Sequence, residues 1–135
     1  MPRFDCTVNT DASYCPYTQA GAGAVWISFV DGPYRKAFTF KKKPANAKQA
    51  EKWAILNGLH MARKMGHETI LINSDCKWAM HEIQQSKSID ITGVEFRYVK
   101  AHNGTKDSRS YVNNWCDKEA KKLMRIWRKK LQKAK

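Results

Sequence analysis

The segment ILINSDCKW, residues 70–78, begins as an apolar run, halts at the polar pair Ser74-Asp75 and then turns helix-like. Residues 68–74 (ETILINS) are uniformly apolar at their centre, the pattern of a strand covered on both faces. A carboxylate at the end of such a strand has two uses. It caps the following helix, or it serves a site at the edge of a sheet.

The neighbouring segments turn this strand into a fold. Residues 47–65 are good helix formers, closed by Gly66. CKWAMHEIQQS (76–86) reads as a second helix and VEFRYVKAH (94–102) as a further strand. Near the N-terminus, FDCTVNT (4–10) places Phe4, Cys6 and Val8 on one face of a strand, and SYCPYTQAG (13–21) reads as a turn. AGAVWISFV (22–30) and YRKAFTFKK (34–42) are two more strands, joined by the hairpin signal Asp31-Gly32-Pro33. NGTKDSRSY (103–111) reads as a loop, after which Asn113 or Asn114 caps a final helix. The expected order is β-β-β-α-β-α-β-α. This is an α/β fold with a five-stranded mixed sheet flanked by helices. Its first three strands are antiparallel, and its last two enter through helical crossovers and run parallel. In such sheets, sites form at the carboxyl ends of strands near a topological switch, which is where Asp75 sits.

A chain of 135 residues with 42% hydrophobic content supports one domain with a real core, taken here as 1–135. No apolar segment is long enough to span a bilayer, and MPRFDCTVNTD lacks a charged-then-apolar leader. A cytosol-like compartment is expected, or the host cytoplasm for a viral or phage protein. Cys6, Cys15, Cys76 and Cys116 form no CxxC pair, and no histidine stands at finger-like spacing. They read as small buried hydrophobes. The net charge of +13 points to a polyanionic partner, nucleic acid before an anionic membrane. Residues 118–135 hold nine Lys/Arg against the single acid Glu119, whereas residues 1–117 hold sixteen against eleven.

Four acids interrupt this basic background. Asp11 and Asp75 close the first and fourth strands, which bring them together if those strands are adjacent and parallel. Glu51 shares a helical stripe with Ile55, Gly58 and Ala62, and Asp117 shares one with Ala120, Met124, Trp127 and Leu131. Each acid alone reads equally well as a turn, cap or helix-start residue. Four on the inward side need a proton or a cation between them. All-oxygen donors suit Mg²⁺ or Mn²⁺, and two such ions can activate a water and stabilise a leaving oxygen at a phosphodiester.

The blocks TDASY (10–14), QAEKWAILNGL (49–59), INSDCKW (72–78), VKAHNG (99–104) and NNWCDKEAKK (113–122) resemble, in order, those of type 1 ribonuclease H. They are especially similar to the compact bacterial and phage enzymes. The resemblance covers roughly residues 5–124 and implies the ribonuclease H-like fold. It further implies endonucleolytic hydrolysis of the RNA strand of RNA–DNA hybrids, giving 5′-phosphate and 3′-hydroxyl products. It places Asp11, Glu51, Asp75 and Asp117 as ligands of two Mg²⁺, with Mn²⁺ a possible substitute. It places His102 in the loop after the last strand, assisting proton transfer or product release. Ribose 2′-hydroxyls, both donor and acceptor, are met by residues after the first Asp and before the helix Glu. Ser13, Asn46 and Gln49 are the candidates for this contact, with Lys48, Lys77 and Cys15 beside them. A monomer with no small-molecule cofactor and no membrane partner is expected.

The chain departs from the family pattern in four places. Ala12 stands where Gly is frequent, and Ala47-Lys48 replaces a common Asn-Asn pair. No basic helical protrusion fits between Asp75 and His102, and the loop from His102 to Asp117 is long. The tail LMRIWRKKLQKAK (123–135) is expected to substitute for the protrusion as an amphipathic helix with Trp127 and Leu131 inward. Of the five tryptophans, most are expected to pack in the core rather than stack on bases. Two rival functions share these features: a DNA-cutting nuclease of the integrase or resolvase kind, and a basic nucleic-acid-binding module without catalysis.

Overall fold

The computed structural model describes residues 3–100 and 108–133. Its elements are β1 (Cys6–Tyr14), β2 (Gly21–Ser28), β3 (Tyr34–Thr39), α1 (Ala47–Lys64), β4 (Ile70–Ser74), α2 (Lys77–Gln85), β5 (Val94–Tyr98) and α3 (Ser108–Lys133). The sheet order is β3-β2-β1-β4-β5. β1 pairs antiparallel with β2 and β2 with β3, whereas β1–β4 and β4–β5 are parallel. The expected fold class holds.

The two faces of the sheet are covered differently. Val8, Val25, Ile27, Ile70 and Ile72 point to the side of α1, where they close a dry aliphatic core with Ile55 and Leu59. On the other side, α3 lies over β1, β2 and β3. There it packs Cys116 and Ala120 on Ala24 and Trp26, and Met124 on Cys15, Ala20 and Ala22. Period-two alternation in β1 and β2 sends alternate residues to these two cores.

α1 starts at a local cap. Asn46 Oδ1 accepts from Gln49 N–H at 2.8 Å, and Gln49 Oε1 accepts from Ala45 N–H at 2.7 Å. It ends as expected at Gly66, whose φ of +93° suits a residue without Cβ, with His67 N–H returning to Ala62 O at 3.2 Å. Between them, Gly58 sets how closely the helix meets the sheet. A Cβ there would stand 2.8 Å from Val8 Cγ1 and 3.0 Å from Thr10 Cγ2. Glu51 lies two turns earlier on the same stripe, so this close approach carries it toward β1.

Two expectations are corrected. β1 does not close at Asp11 but continues to Tyr14, because β2 pairs with it through Tyr14↔Gly21. The turn is thus confined to residues 15–20. α3 begins at Ser108, so Asn113 and Asn114 lie inside the helix rather than capping it. The early start has a tertiary cause. Tyr111 and Trp115 meet the Trp26 ring edge-on at 5.8 and 5.5 Å, and Val112 packs beside them. Of the two uses open to Asp75, the N-cap position of α2 falls to Cys76 instead. Strand ends elsewhere fall within a few residues of expectation. β3 stops before Lys41–Lys43, and β5 stops where its partner β4 ends.

Candidate metal centre

The parallel register of β1 and β4 builds the centre. Their last paired residues are Asn9↔Asn73. Asp11 and Asp75 each lie two residues further on, so they stand at the same height across the gap where the two strands part. Glu51 enters the same gap from the start of α1. Ligand oxygens of Asp11, Glu51 and Asp75 all lie within 4.8 Å of one another. The backbone also takes part. Ala12 N–H points to the unpaired edge of β1 and donates to Asp11 Oδ1 at 2.9 Å and Glu51 Oε1 at 3.3 Å.

Close packing of acids in a half-buried gap changes their protonation. Burial pushes Glu51 up to about 10, aided by the charges of Asp11 and Asp75. Burial, followed by the Asp75 charge, pushes Asp11 up to about 7. Glu51 Oε2 is buried with no hydrogen-bond partner among the described residues. An orphaned carboxylate oxygen facing two further acids fits a hard divalent cation, which would replace the protons that the cluster otherwise holds.

Asp117 projects from the third turn of α3 into the pocket that Asp11 and Asp75 line, together with Asn113 and Asn114. It stands outside the tight group of three and pairs with Lys121 at 3.0 Å. The structure thus gathers three of the four predicted acids and opens the fourth onto the same space. His102 lies outside the described residues.

The expected substrate contacts divide. Ser13 stays on β1, opposite Ala22. The side-chain carbonyl oxygens of Asn46 and Gln49 are committed to the start of α1. Lys48 Nζ lies 5.9 Å from the centre of the exposed Trp78 ring, and Lys77 Nζ lies 4.4 Å from that of Tyr98. Cys15 is buried under α3 rather than beside the acids.

Sequence reasoning missed a polar row beneath the acids. Asn73 Nδ2 donates to Asn9 Oδ1 at 3.1 Å, and Arg97 Nε donates to Asn73 Oδ1 at 2.8 Å. These residues occupy one line across β1, β4 and β5. A signal existed: the two strands carry matching tripeptides, Asn9-Thr10-Asp11 and Asn73-Ser74-Asp75. Asn113 and Asn114 were missed as pocket residues because they were assigned to a cap.

Comparison with known proteins agrees with this fold. The family described as "Reverse transcriptase-like" matches residues 9–123. Among solved structures, the RNase H1 of the halophilic archaeon Halobacterium salinarum superimposes with a TM-score of 0.67 at 14% identity, covering 90% of this chain and 98% of that one. The N-terminal RNase H domain of a Mycobacterium tuberculosis protein, solved as a fusion with maltose-binding protein, gives 0.62 at 13% identity, covering 90% and 94%. A search of curated protein sequences finds no match.

Proposed function

The chain belongs to the reverse transcriptase-like family and has the ribonuclease H fold, and from that premise we propose that it is a metal-dependent endonuclease cutting the RNA strand of RNA–DNA hybrids. The observation that carries this reading is the cluster of Asp11, Glu51 and Asp75 within 4.8 Å in a chain of net charge +13. A purely binding surface gains nothing from three acids facing phosphates.

Asp11, Glu51 and Asp75 would hold divalent cations, with Asp117 completing the set from α3. Two such ions, when bound, supply an activated water and stabilise the leaving oxygen. The residues around them orient the substrate. Ala12 N–H fixes the Asp11 and Glu51 carboxylates. Lys48 and Lys77, each over an aromatic ring at the rim, attract the phosphate backbone. His102 assists the proton transfer. Ser13, with the amide groups of Asn46 and Gln49, meets the ribose 2′-hydroxyls.

The test is cleavage of an end-labelled RNA–DNA hybrid with Mg²⁺, Mn²⁺ or EDTA, beside double-stranded RNA and duplex DNA. Metal-dependent cutting confined to the RNA strand of the hybrid, leaving 3′-hydroxyl ends and lost in Asp75→Asn, supports the proposal. Cutting of duplex DNA instead would transfer the function to a DNA nuclease. Salt-sensitive binding without cutting would make the chain a binding module.

A further inference from the structure

The C-terminal half of α3 presents a surface that the metal centre does not use. From Ala120 to Lys133 it contains seven Lys/Arg and no acid. The helix is anchored along this length: Met124 is buried, and Leu123, Trp127 and Leu131 pack with it on Cys15, Ala20 and Ala22. Trp127 and Leu131 therefore face inward as expected, and the cations beside them are held in a fixed order.

That order begins at the site. Asp117, which opens into the acid pocket, is followed at i+4, i+8 and i+11 by Lys121, Arg125 and Arg128, so the four share one flank of the helix. Lys121 is tied to Asp117 at 3.0 Å, and Arg128 is half-buried against the body. Lys130 falls on the other flank, and Lys122 faces outward between the two. At about 1.5 Å per residue, the row runs about 16 Å from Asp117 to Arg128. With one phosphate per strand for every ~3.4 Å of duplex axis, a row of that length laid along the axis spans about five nucleotides.

We infer that Lys121, Arg125 and Arg128 form a phosphate track along α3 that holds the sugar–phosphate backbone of an RNA–DNA hybrid beyond the point of cleavage. This deepens the proposed function and rests on it. The track supplies, from a packed helix, the cationic contact for which the chain has no protrusion between α2 and β5.

The experiment compares the full-length protein with Arg125→Gln/Arg128→Gln, leaving Lys121 intact because it touches Asp117. Steady-state cleavage of hybrids of increasing length is measured alongside binding to a hybrid in EDTA at several salt concentrations. The loss is expected in KM, about tenfold, with kcat kept, and only on hybrids long enough to reach the track. The salt slope should fall by about 1.8, or 0.9 per contact. Arg125→Lys/Arg128→Lys should restore the slope, and Lys130→Gln on the far flank should change it less than Arg125→Gln does. Arg125 is exposed, so Arg125→Gln alone carries the test if the double variant melts early. An unchanged KM and slope, or an equal loss from both flanks, overturns the track while leaving the nuclease reading standing. A wild-type protein that binds hybrid through this flank without cutting it overturns the nuclease reading instead.

Discussion

The two faces of the sheet show how one set of strands divides its labour. Toward α1 the sheet presents Val8, Val25, Ile27, Ile70 and Ile72, all fully buried. Toward α3 it presents Asn9, Asp11, Ala22, Ala24, Trp26 and Asn73, and the helix laid on it brings Asp117. The first face is dry and aliphatic, and its stability comes from area removed from water. The second uses small residues to seat a helix and leaves polar groups to be satisfied by one another. A carboxylate on the first face would be a defect. On the second it has neighbours, a backbone donor and an opening to solvent.

The sharpest way to break this division is at the acids. Glu51→Gln should lower hybrid cleavage by roughly a thousandfold, about 4 kcal/mol in the transition state. The same change should raise the melting temperature of the metal-free protein at pH 8, since Gln is neutral without the proton that Glu51 must take up there on folding. Loss of both activity and stability would mean that Glu51 is a structural residue. On the aliphatic face the signs reverse. Ile55→Ala should cost about 2–5 kcal/mol in denaturant unfolding. Divalent-ion binding by calorimetry should stay as in the wild type at temperatures where the variant is folded. A large change in ion affinity would show that the faces are not separable.

Beneath the acids, on the α3 side, lies the asparagine row. Asn73→Ala removes the partner of Asn9 and the acceptor of Arg97, and should cost about 1–3 kcal/mol. Cleavage should fall more than in a surface variant of equal stability, because the row sits directly under Asp11 and Asp75. If activity simply tracks stability, the row has no hold on the site.

The remaining expected effect is one of pH. Asp11 and Glu51 titrate above their ordinary values in the folded chain. The folded state therefore holds more protons than the unfolded state once pH exceeds about 4. Stability of the metal-free protein should fall as pH rises from there through about 7 and toward 10. The slope is about 1.4 kcal/mol per pH unit for each proton that the folded chain retains and the unfolded chain has lost. Thermal melts in EDTA between pH 5 and 9 test it. Adding Mg²⁺ or Mn²⁺ should flatten the slope, and one of opposite sign would contradict the picture of a desolvated acid cluster.

Much of this arrangement was legible in residue order. The apolar run of 70–74, the helix formers of 47–64 and the Gly66 stop gave the mixed sheet and its crossovers, and the strand-end position of Asp75 led to the acids. What escaped has a common physical origin. Ser13 and Tyr14 look like a turn because they are polar and close to Pro16. They are strand because β2 pairs with them. Residues 108–112 look like a loop, yet contacts of Tyr111 and Val112 around Trp26 continue the helix through them. In both places a partner distant in sequence decides the local conformation. Asn46 and Gln49 differ, since their side-chain oxygens are held by backbone N–H groups only three and four residues away, at the start of α1.

Asn9 and Asn73 are 64 positions apart, and the two central aspartates meet only when their strands align at that pair. No local segment of the chain can assemble the centre in advance. Long-range closures of this kind are slow steps in folding. The acids therefore come within reach of one ion only after the sheet has closed, and the unfolded chain offers a cation scattered single carboxylates. Divalent ions then bind the finished fold almost exclusively and stabilise it by mass action, raising the melting temperature in proportion to the logarithm of their concentration. The centre is thereby a chemical record that the most distant strands have found their register.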